Sequence, residues 1–232
     1  MEEKQVAIVC YDEVKTKFVV ANPRDYIQNI HKSGAFYELD QLLFHKNLIY
    51  RDCIVLDIGA NVGNHTLFYS RHTPATRIFP FEPNPEARSL LIQNIKQNET
   101  GGRVDMRYIS FAVGLKHASY DIAYSRTDNL GATALKVASS EPGTANIEGV
   151  KLDELDFGGR VGFVKIDVEG MEMQVLDGAT GLFTQQRPHI AIEVDAQNEV
   201  SFWQWADRMR YHVIGVFHAY LQNRNYIAVP RC

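Results

Sequence analysis

From residue 52 onward, apolar runs of strand length alternate with segments whose apolar residues recur at helical spacing. The runs are CIVLDI, RIFPFE, VDMRYISFAV, ASYDIAY, VGFVKIDV and HIAIEV; helices are expected from Gly63, from Asn84, from about Met171 and through FWQWADRMR. This alternation predicts an α/β fold, a parallel sheet with helices on both faces. The last two runs, YHVIGVF and NYIAV, have no helix between them and are expected to close the sheet as an antiparallel pair. Ahead of residue 52, VAIVCY and KFVVAN predict a small hairpin, and YELDQLLFHKNLI has the spacing of an amphipathic helix. The chain is therefore divided into residues 1–50, an N-terminal hairpin and helical segment packed on the core, and residues 51–232, the main domain. Residues 125–149 show no period and are expected to be a long loop on the substrate side.

Composition changes this picture little. At 232 residues, with 45% hydrophobic and 22% charged residues, the chain is of the size and make-up of one soluble globular domain. No stretch approaches the roughly 18 apolar residues of a membrane span, and MEEKQVAIVC has acidic residues where a secretory leader needs positive charge. A cytoplasmic location without stable membrane insertion is the expectation. Cys10, Cys53 and Cys232 have no metal-type spacing and are assigned no chemistry. With a net charge of −4 and no clustered Lys or Arg, nucleic acid is not expected as a partner.

In open α/β sheets ligands bind at the carboxyl ends of the strands, where strand order reverses. The first strand ends in VLDIGANVGNHT, with Asp57 ahead of a Gly59-x-x-x-Gly63 turn. A dinucleotide site would instead show G-x-G-x-x-G, with helix N–H groups on a pyrophosphate. Here the carboxylate repels phosphate and attracts an ammonium group. Glu82, at the end of the second strand and followed by Pro83 and Asn84, is placed to accept hydrogen bonds from both ribose hydroxyls of a nucleoside. Together they call for an adenosine bearing an amino-acid tail, as in S-adenosylmethionine. Asn61 and Thr66 either cap the following helix or touch this ligand; His65, in its first turn, is read as facing solvent.

At these residues the chain resembles the FkbM-type methyltransferases, a branch of the class I S-adenosylmethionine-dependent enzymes. The resemblance runs in order through GAFYE, VLDIGANVGNHTLF, FEPNPEARSLLIQNI, SFAVG, NLGATAL, LDEL, VKIDVEGMEMQVLDGA and IAIEVD, about residues 34 to 196. It implies a Rossmann-like, doubly wound sheet of about seven strands with an antiparallel last strand, and methyl transfer to a hydroxyl of a small molecule, sugar, glycan or other natural product. It also implies that Tyr37 and Glu38 lie near the cofactor, whose ligands would be Tyr37, Asp57, Gly59, Ala60, Asn61, Gly63, Thr66, Glu82, Asn84 and Ala112. Ala112, small and at the end of the third strand, suits a slot for the adenine ring.

Strand alternation in GFVKIDVEGMEM puts Phe163, Lys165 and Asp167 on one face. A charge in a central strand persists only if it is paired or bound to something. Asp167 and Glu193, the latter from IAIEVD, are the candidate catalytic residues. Asp167 is read either as general base towards a hydroxyl acceptor or as a ligand, with Glu193 and Asp195, of a divalent ion, for which oxygen ligands favour Mg²⁺. Two other readings stay open: a non-catalytic S-adenosylmethionine-binding protein, and a nicotinamide-dependent oxidoreductase, which the missing third glycine and Asp57 oppose.

Overall fold

The computed structural model describes residues 5–126, 129–138, 147–217 and 222–231. The chain opens on β1 (Gln5–Tyr11) and β2 (Val14–Val20), an antiparallel hairpin in register from Gln5↔Val20 to Tyr11↔Val14. Its two turn residues, Asp12 and Glu13, both have positive φ (49° and 64°), as a tight hairpin following the right-handed strand twist requires. Two helices follow, α1 (Tyr26–Lys32) and α2 (Leu39–Leu48). The second was expected and the first was not. Asp25 caps α1, its Oδ1 accepting from the Gln28 N–H at 3.0 Å.

The central elements then alternate: β3 (Ile54–Ile58), α3 (Asn64–His72), β4 (Arg77–Phe81) and α4 (Pro85–Gln97). Asn84 caps α4 and Pro85 sits in its first turn, where a missing N–H costs nothing. After a second, smaller sheet come β9 (Val161–Ile166), α5 (Glu172–Asp177), α6 (Thr180–Gln185), β10 (His189–Asp195), α7 (Glu199–Arg208), β11 (Tyr211–Phe217) and β12 (Asn223–Pro230). The main sheet has the order β11-β12-β10-β9-β3-β4. β4, β3, β9 and β10 are parallel, and β12 lies antiparallel between β10 and β11, the reversed closing strand that the pattern predicted.

Two apolar clusters sandwich this sheet. Leu56, Ile58, Val164, Ile166 and Ile192 face α5, α6 and α7 through Val175, Phe183, Phe202 and Trp205. The alternate residues Val55, Phe163 and Ala191 face α3 and the N-terminal segment through Leu67, Phe68, Phe18, Phe36 and Leu42. Asp57 and Lys165 therefore emerge on the α3 side.

Two expectations are corrected. Among the described residues six strands form the main sheet, against about seven expected: VDMRYISFAV contributes one bridge to it, Ile78↔Val104, where a seventh strand would pair, and then turns through Met106–Phe111. Asp105 takes the Arg107 N–H at 3.1 Å and bends the chain away from extended pairing. The second correction concerns residues 125–149, which are not one long loop. A second sheet of order β5-β8-β6-β7 is built from β5 (Ala112–Val113), β6 (Ala118–Arg126), β7 (Asn129–Val137) and β8 (Ile147–Val150). Register shifts between Ile122 and Tyr124 and between Tyr124 and Arg126 break the two-residue period that would have exposed it in the sequence. Residues 127–128 and 139–146 of that stretch lie outside the described residues.

Candidate active site

The chain leaves β3 to pair β4 on one side and returns to β9 on the other, so strand order reverses between β3 and β9. There the backbones close up. The Asp167 N–H donates to the Ile58 carbonyl at 3.0 Å, and a Cβ on Gly59 would stand 1.8 Å from the Asp167 carbonyl oxygen. Gly59, with φ +80°, is therefore required both by its conformation and by this contact. Gly63, with φ +92°, starts α3 and has Leu91 where a Cβ would go.

Asp57 is fully buried. One carboxylate oxygen accepts from the Thr66 hydroxyl, and the other has no hydrogen-bond partner and stands 3.9 Å from Lys165 Nζ. Burial, only partly offset by Lys165, raises its pKa. Thr66 is itself fully buried, and its hydroxyl holds Asp57. Lys165 Nζ also donates to Asp167 Oδ2 at 2.9 Å and to the Gly59 carbonyl at 3.2 Å. Burial alone would lower its pKa; the carboxylates of Asp167 and Asp57 outweigh that and hold it above the usual lysine range. One ammonium thus ties the end of β9 to the turn after β3.

Glu82 fastens the neighbouring turn. Its Oε2 accepts from the Asn61 N–H at 2.7 Å and its Oε1 from the Asn84 N–H at 2.8 Å. Burial nonetheless pushes its carboxyl up to about 7. Asn61 has φ 49° and a buried side-chain oxygen without a partner, whereas the Asn84 side chain caps α4 through the Glu86 N–H. Ala60 is buried beside this turn, its N–H on the Phe81 carbonyl at 2.9 Å. Tyr37 is half-buried, its backbone held on both sides by the Asn64 amide. Ala112 is buried in a cluster with Tyr120 and Ile147 of the second sheet. His65 is buried, contrary to the solvent-facing expectation, because the N-terminal segment covers α3; its ring lies 5.8 Å from Tyr69 and 6.1 Å from His45.

Around Lys165 also stand Asp167, Glu193 and Glu38. Asp167 keeps a third of its side chain exposed. Glu193 accepts from Asn223 Nδ2 at 2.5 Å, and burial together with the charges of Asp167, Glu169 and Glu38 pushes it up to about 9. Glu38 and Glu169 are each pushed up to about 7, first by burial and next by Asp167. Sequence reasoning missed Asn223 and Asn225, whose amides meet Glu193 and Glu38; the alternation in NRNY, which puts both on one face of a strand, was the available signal. The expected magnesium site finds no support: Asp167 turns to Lys165, Glu193 to Asn223 and Asp195 to Gln197. Among the described residues no three His, Cys, Asp or Glu side chains converge as metal ligands.

The profile of the methyltransferase FkbM domain matches residues 57–227, from Asp57 almost to the end of β12. The chain belongs to the FkbM methyltransferase family. It is 32% identical over 148 residues to the hexuronic acid methyltransferase AglP of Haloferax volcanii, covering 62% of this chain and 57% of that protein. To the 31-O-demethyl-FK506 methyltransferase FkbM of Streptomyces tacrolimicus it is 31% identical over 67 residues, 29% of this chain and 26% of that one. The chain thus spans little more than half the length of the first of these relatives and about a quarter of the second. Among solved structures it superposes on methyltransferase FkbM from Methylobacillus flagellatus KT with TM-score 0.54 and 18% identity, over 87% of this chain and 52% of that one. It superposes on M. jannaschii TYW2 in complex with AdoMet with TM-score 0.53 and 11% identity, over 99% and 87%. At these identities the superpositions establish the Rossmann-like fold alone.

The residues of this FkbM-family site fit S-adenosylmethionine. The unpartnered Asp57 oxygen and the Gly59 carbonyl are acceptors for an ammonium group, and each Glu82 oxygen keeps a lone pair beyond its backbone bond. Among the described residues no helix is long and apolar enough to cross a membrane.

Proposed function

We propose that this protein binds S-adenosylmethionine at the β3–β4 edge and methylates a hydroxyl of a sugar, glycan or other small polyhydroxylated acceptor. The observation that carries the reading is the pair of buried carboxylates at adjacent strand ends: Asp57 with an oxygen unpartnered, Glu82 fixed by two backbone N–H groups. Family membership and a sugar-methylating relative support the reaction class.

When bound, the cofactor supplies a methyl group on a positively charged sulfur. Asp57 and the Gly59 carbonyl hold the amino-acid end, Glu82 accepts from the ribose hydroxyls, and Ala60, Asn61 and Ala112 contribute small walls. Asp167 and Glu193 meet the acceptor. Asp167, half of an ion pair, accepts a hydrogen bond from the hydroxyl and orients it, while Glu193, neutral at pH 7, donates one to a neighbouring acceptor oxygen. Displacement at a methyl carbon depends above all on such alignment, for which effective molarities reach roughly 10⁵–10⁸ M. The test is methyl transfer from labelled S-adenosylmethionine to a panel of neutral, amino and uronic methyl glycosides. Product methylated on a hydroxyl oxygen is expected; a methyl ester formed on the uronic carboxylate alone would overturn the hydroxyl acceptor. Product methylated on nitrogen, carbon or RNA alone would overturn the acceptor class.

A further inference from the structure

We propose that Glu38 is the residue that takes the proton from the acceptor hydroxyl, an inference that rests on the O-methyl transfer reading above. Glu38 is the residue before α2 and has a left-handed backbone, φ 53° and ψ 42°. A non-glycine residue holds that conformation at a cost, and its side chain makes no capping bond to the helix that would compensate. The conformation turns the side chain to the edge where β9, β10 and β12 end.

The carboxylate is held there by Gln41 of α2, by Asn225 of β12 and by the Tyr37 side chain, which hydrogen-bonds it. Oε1 accepts from Gln41 Nε2 at 2.9 Å and meets Asn225 Nδ2 at 3.5 Å. Oε2 faces His65 Nε2 at 3.7 Å, beyond hydrogen-bond reach. Only 11% of the side chain is exposed. Gln41 and Asn225 thus hold Oε1, and a carboxylate oxygen keeps a lone pair beyond one such bond.

Asp167 is less suited to the task because its charge is committed to Lys165 at 2.9 Å. Glu193 holds a proton at neutral pH and so donates. The groups facing Glu38 are the adjacent Tyr37, whose side chain hydrogen-bonds it, His65 and Tyr69 from α3, Lys165 and Asp167 from β9, Glu193 from β10 and Asp40 from α2. His65 is held neutral by burial, then by Lys165 and His45, and the Tyr69 hydroxyl is raised far above neutrality by burial. Among these neighbours Glu38, pushed up to about 7, changes charge where a base must be both free and strong. In the step, the acceptor O–H bond breaks and its proton passes to Glu38 Oε2. The oxygen pair forms the new C–O bond, the C–S bond breaks with its pair left on sulfur, and Glu38 returns the proton to water.

Glu38→Gln keeps the Gln41 and Asn225 contacts and removes basicity, and three readouts judge it. S-adenosylhomocysteine affinity by calorimetry should stay within about threefold of wild type; a loss beyond tenfold would make Glu38 a cofactor ligand and overturn the proposal. With the glycoside panel, wild-type kcat should rise with pH through an apparent pKa near 7. Glu38→Gln should lose that rise and roughly 10²–10⁴-fold in turnover. Asp167→Asn, which removes a charge that raises Glu38, should keep the rise and move it to lower pH, and Glu169→Gln should keep it too. A rise that survives Glu38→Gln, or one abolished by Asp167→Asn alone, contradicts the proposal. Carbon-detected NMR of labelled glutamate carboxyls gives a readout without turnover: one carboxyl titrating near neutrality should vanish in Glu38→Gln. If it titrates in the ordinary range near 4.5, Glu38 is not poised as a base. Should every glycoside be refused while S-adenosylhomocysteine binds, the acceptor class falls and the NMR titration alone decides Glu38.

Discussion

Burial acts on two layers of this molecule in opposite senses. At the carboxyl edge of the sheet it raises Glu38 and Glu82 to about 7 and Glu193 to about 9. In the layer between the N-terminal segment and α3 it lowers His31 and His72 to about 4 and His45 to about 3. Both layers favour the neutral form, but the neighbours that surround it differ. His31 stacks on Phe18 with ring centroids 3.8 Å apart and meets Asn64 Oδ1 at 2.9 Å, and His45 meets the Tyr69 hydroxyl at 2.9 Å. Neutral imidazole packs like an aromatic ring, and in each of His31, His45 and His72 one ring nitrogen is buried without a hydrogen-bond partner. The carboxyls crowd one another around Lys165, the only buried lysine or arginine among the described residues. The histidine layer packs among aromatic rings, and the acid edge gathers like charges around one lysine.

The largest effect that would break this contrast comes from Gly59→Ala. Its methyl would collide with the Asp167 carbonyl, so cofactor binding should be lost and the fold weakened by more than about 3 kcal/mol. Gly102→Ala, at φ +71° but with open space around the added carbon, should cost only about 1 kcal/mol and leave binding intact. Thermal melts and calorimetry with S-adenosylhomocysteine check both. If the two variants behave alike, the close approach of β3 and β9 is not what the glycine serves.

Next in size, Asn64→Ala orphans the Tyr37 N–H, the Tyr37 carbonyl and His31 Nε2 together, and should destabilise by about 2–3 kcal/mol in denaturant titrations. A change under about 0.5 kcal/mol would mean that the N-terminal segment does not rely on this amide.

The contrast should also be visible as pH-dependent stability. The lowered histidines contribute stability that is present above pH 6.5 and lost as pH falls through about 4. The raised carboxyls contribute stability that is present below about pH 4.5 and lost as pH rises through about 7 and then 9. Melting temperature without cofactor should therefore decline on both sides of a mildly acidic maximum. Glu193→Gln should flatten the alkaline side alone and His45→Gln the acid side alone. A variant that flattens the opposite limb contradicts the assignment of the two layers.

Much of the acid edge was legible because Asp57 and Glu82 sit in short motifs whose strand-end position follows from alternation, and because Lys165 and Asp167 share a face by the same rule. The rest depended on distant pairings. Asn225 reaches Glu38 across 187 residues, and nothing local in YELDQ signals the left-handed turn that aims that side chain. His65 was misread because its exposure is set by a segment that lies before the main sheet in the chain. Most of β6 was read as the run ASYDIAY, but β7, which pairs with it through register shifts, was not. Local periodicity thus located the carboxylates at the ends of β3, β4 and β9, while the contacts around Glu38 and Glu193 are assembled by tertiary pairings.

Calorimetry of the wild type and Glu82→Ala with S-adenosylhomocysteine, and of the wild type with NAD, tests the central claim most directly. The wild type should bind S-adenosylhomocysteine and not NAD, and Glu82→Ala should bind the former roughly 10- to 100-fold more weakly, about 1–3 kcal/mol, with its fold intact. Binding of NAD in preference, or equal affinity in the folded variant, would show that the carboxylates at the ends of β3 and β4 do not form an S-adenosylmethionine site.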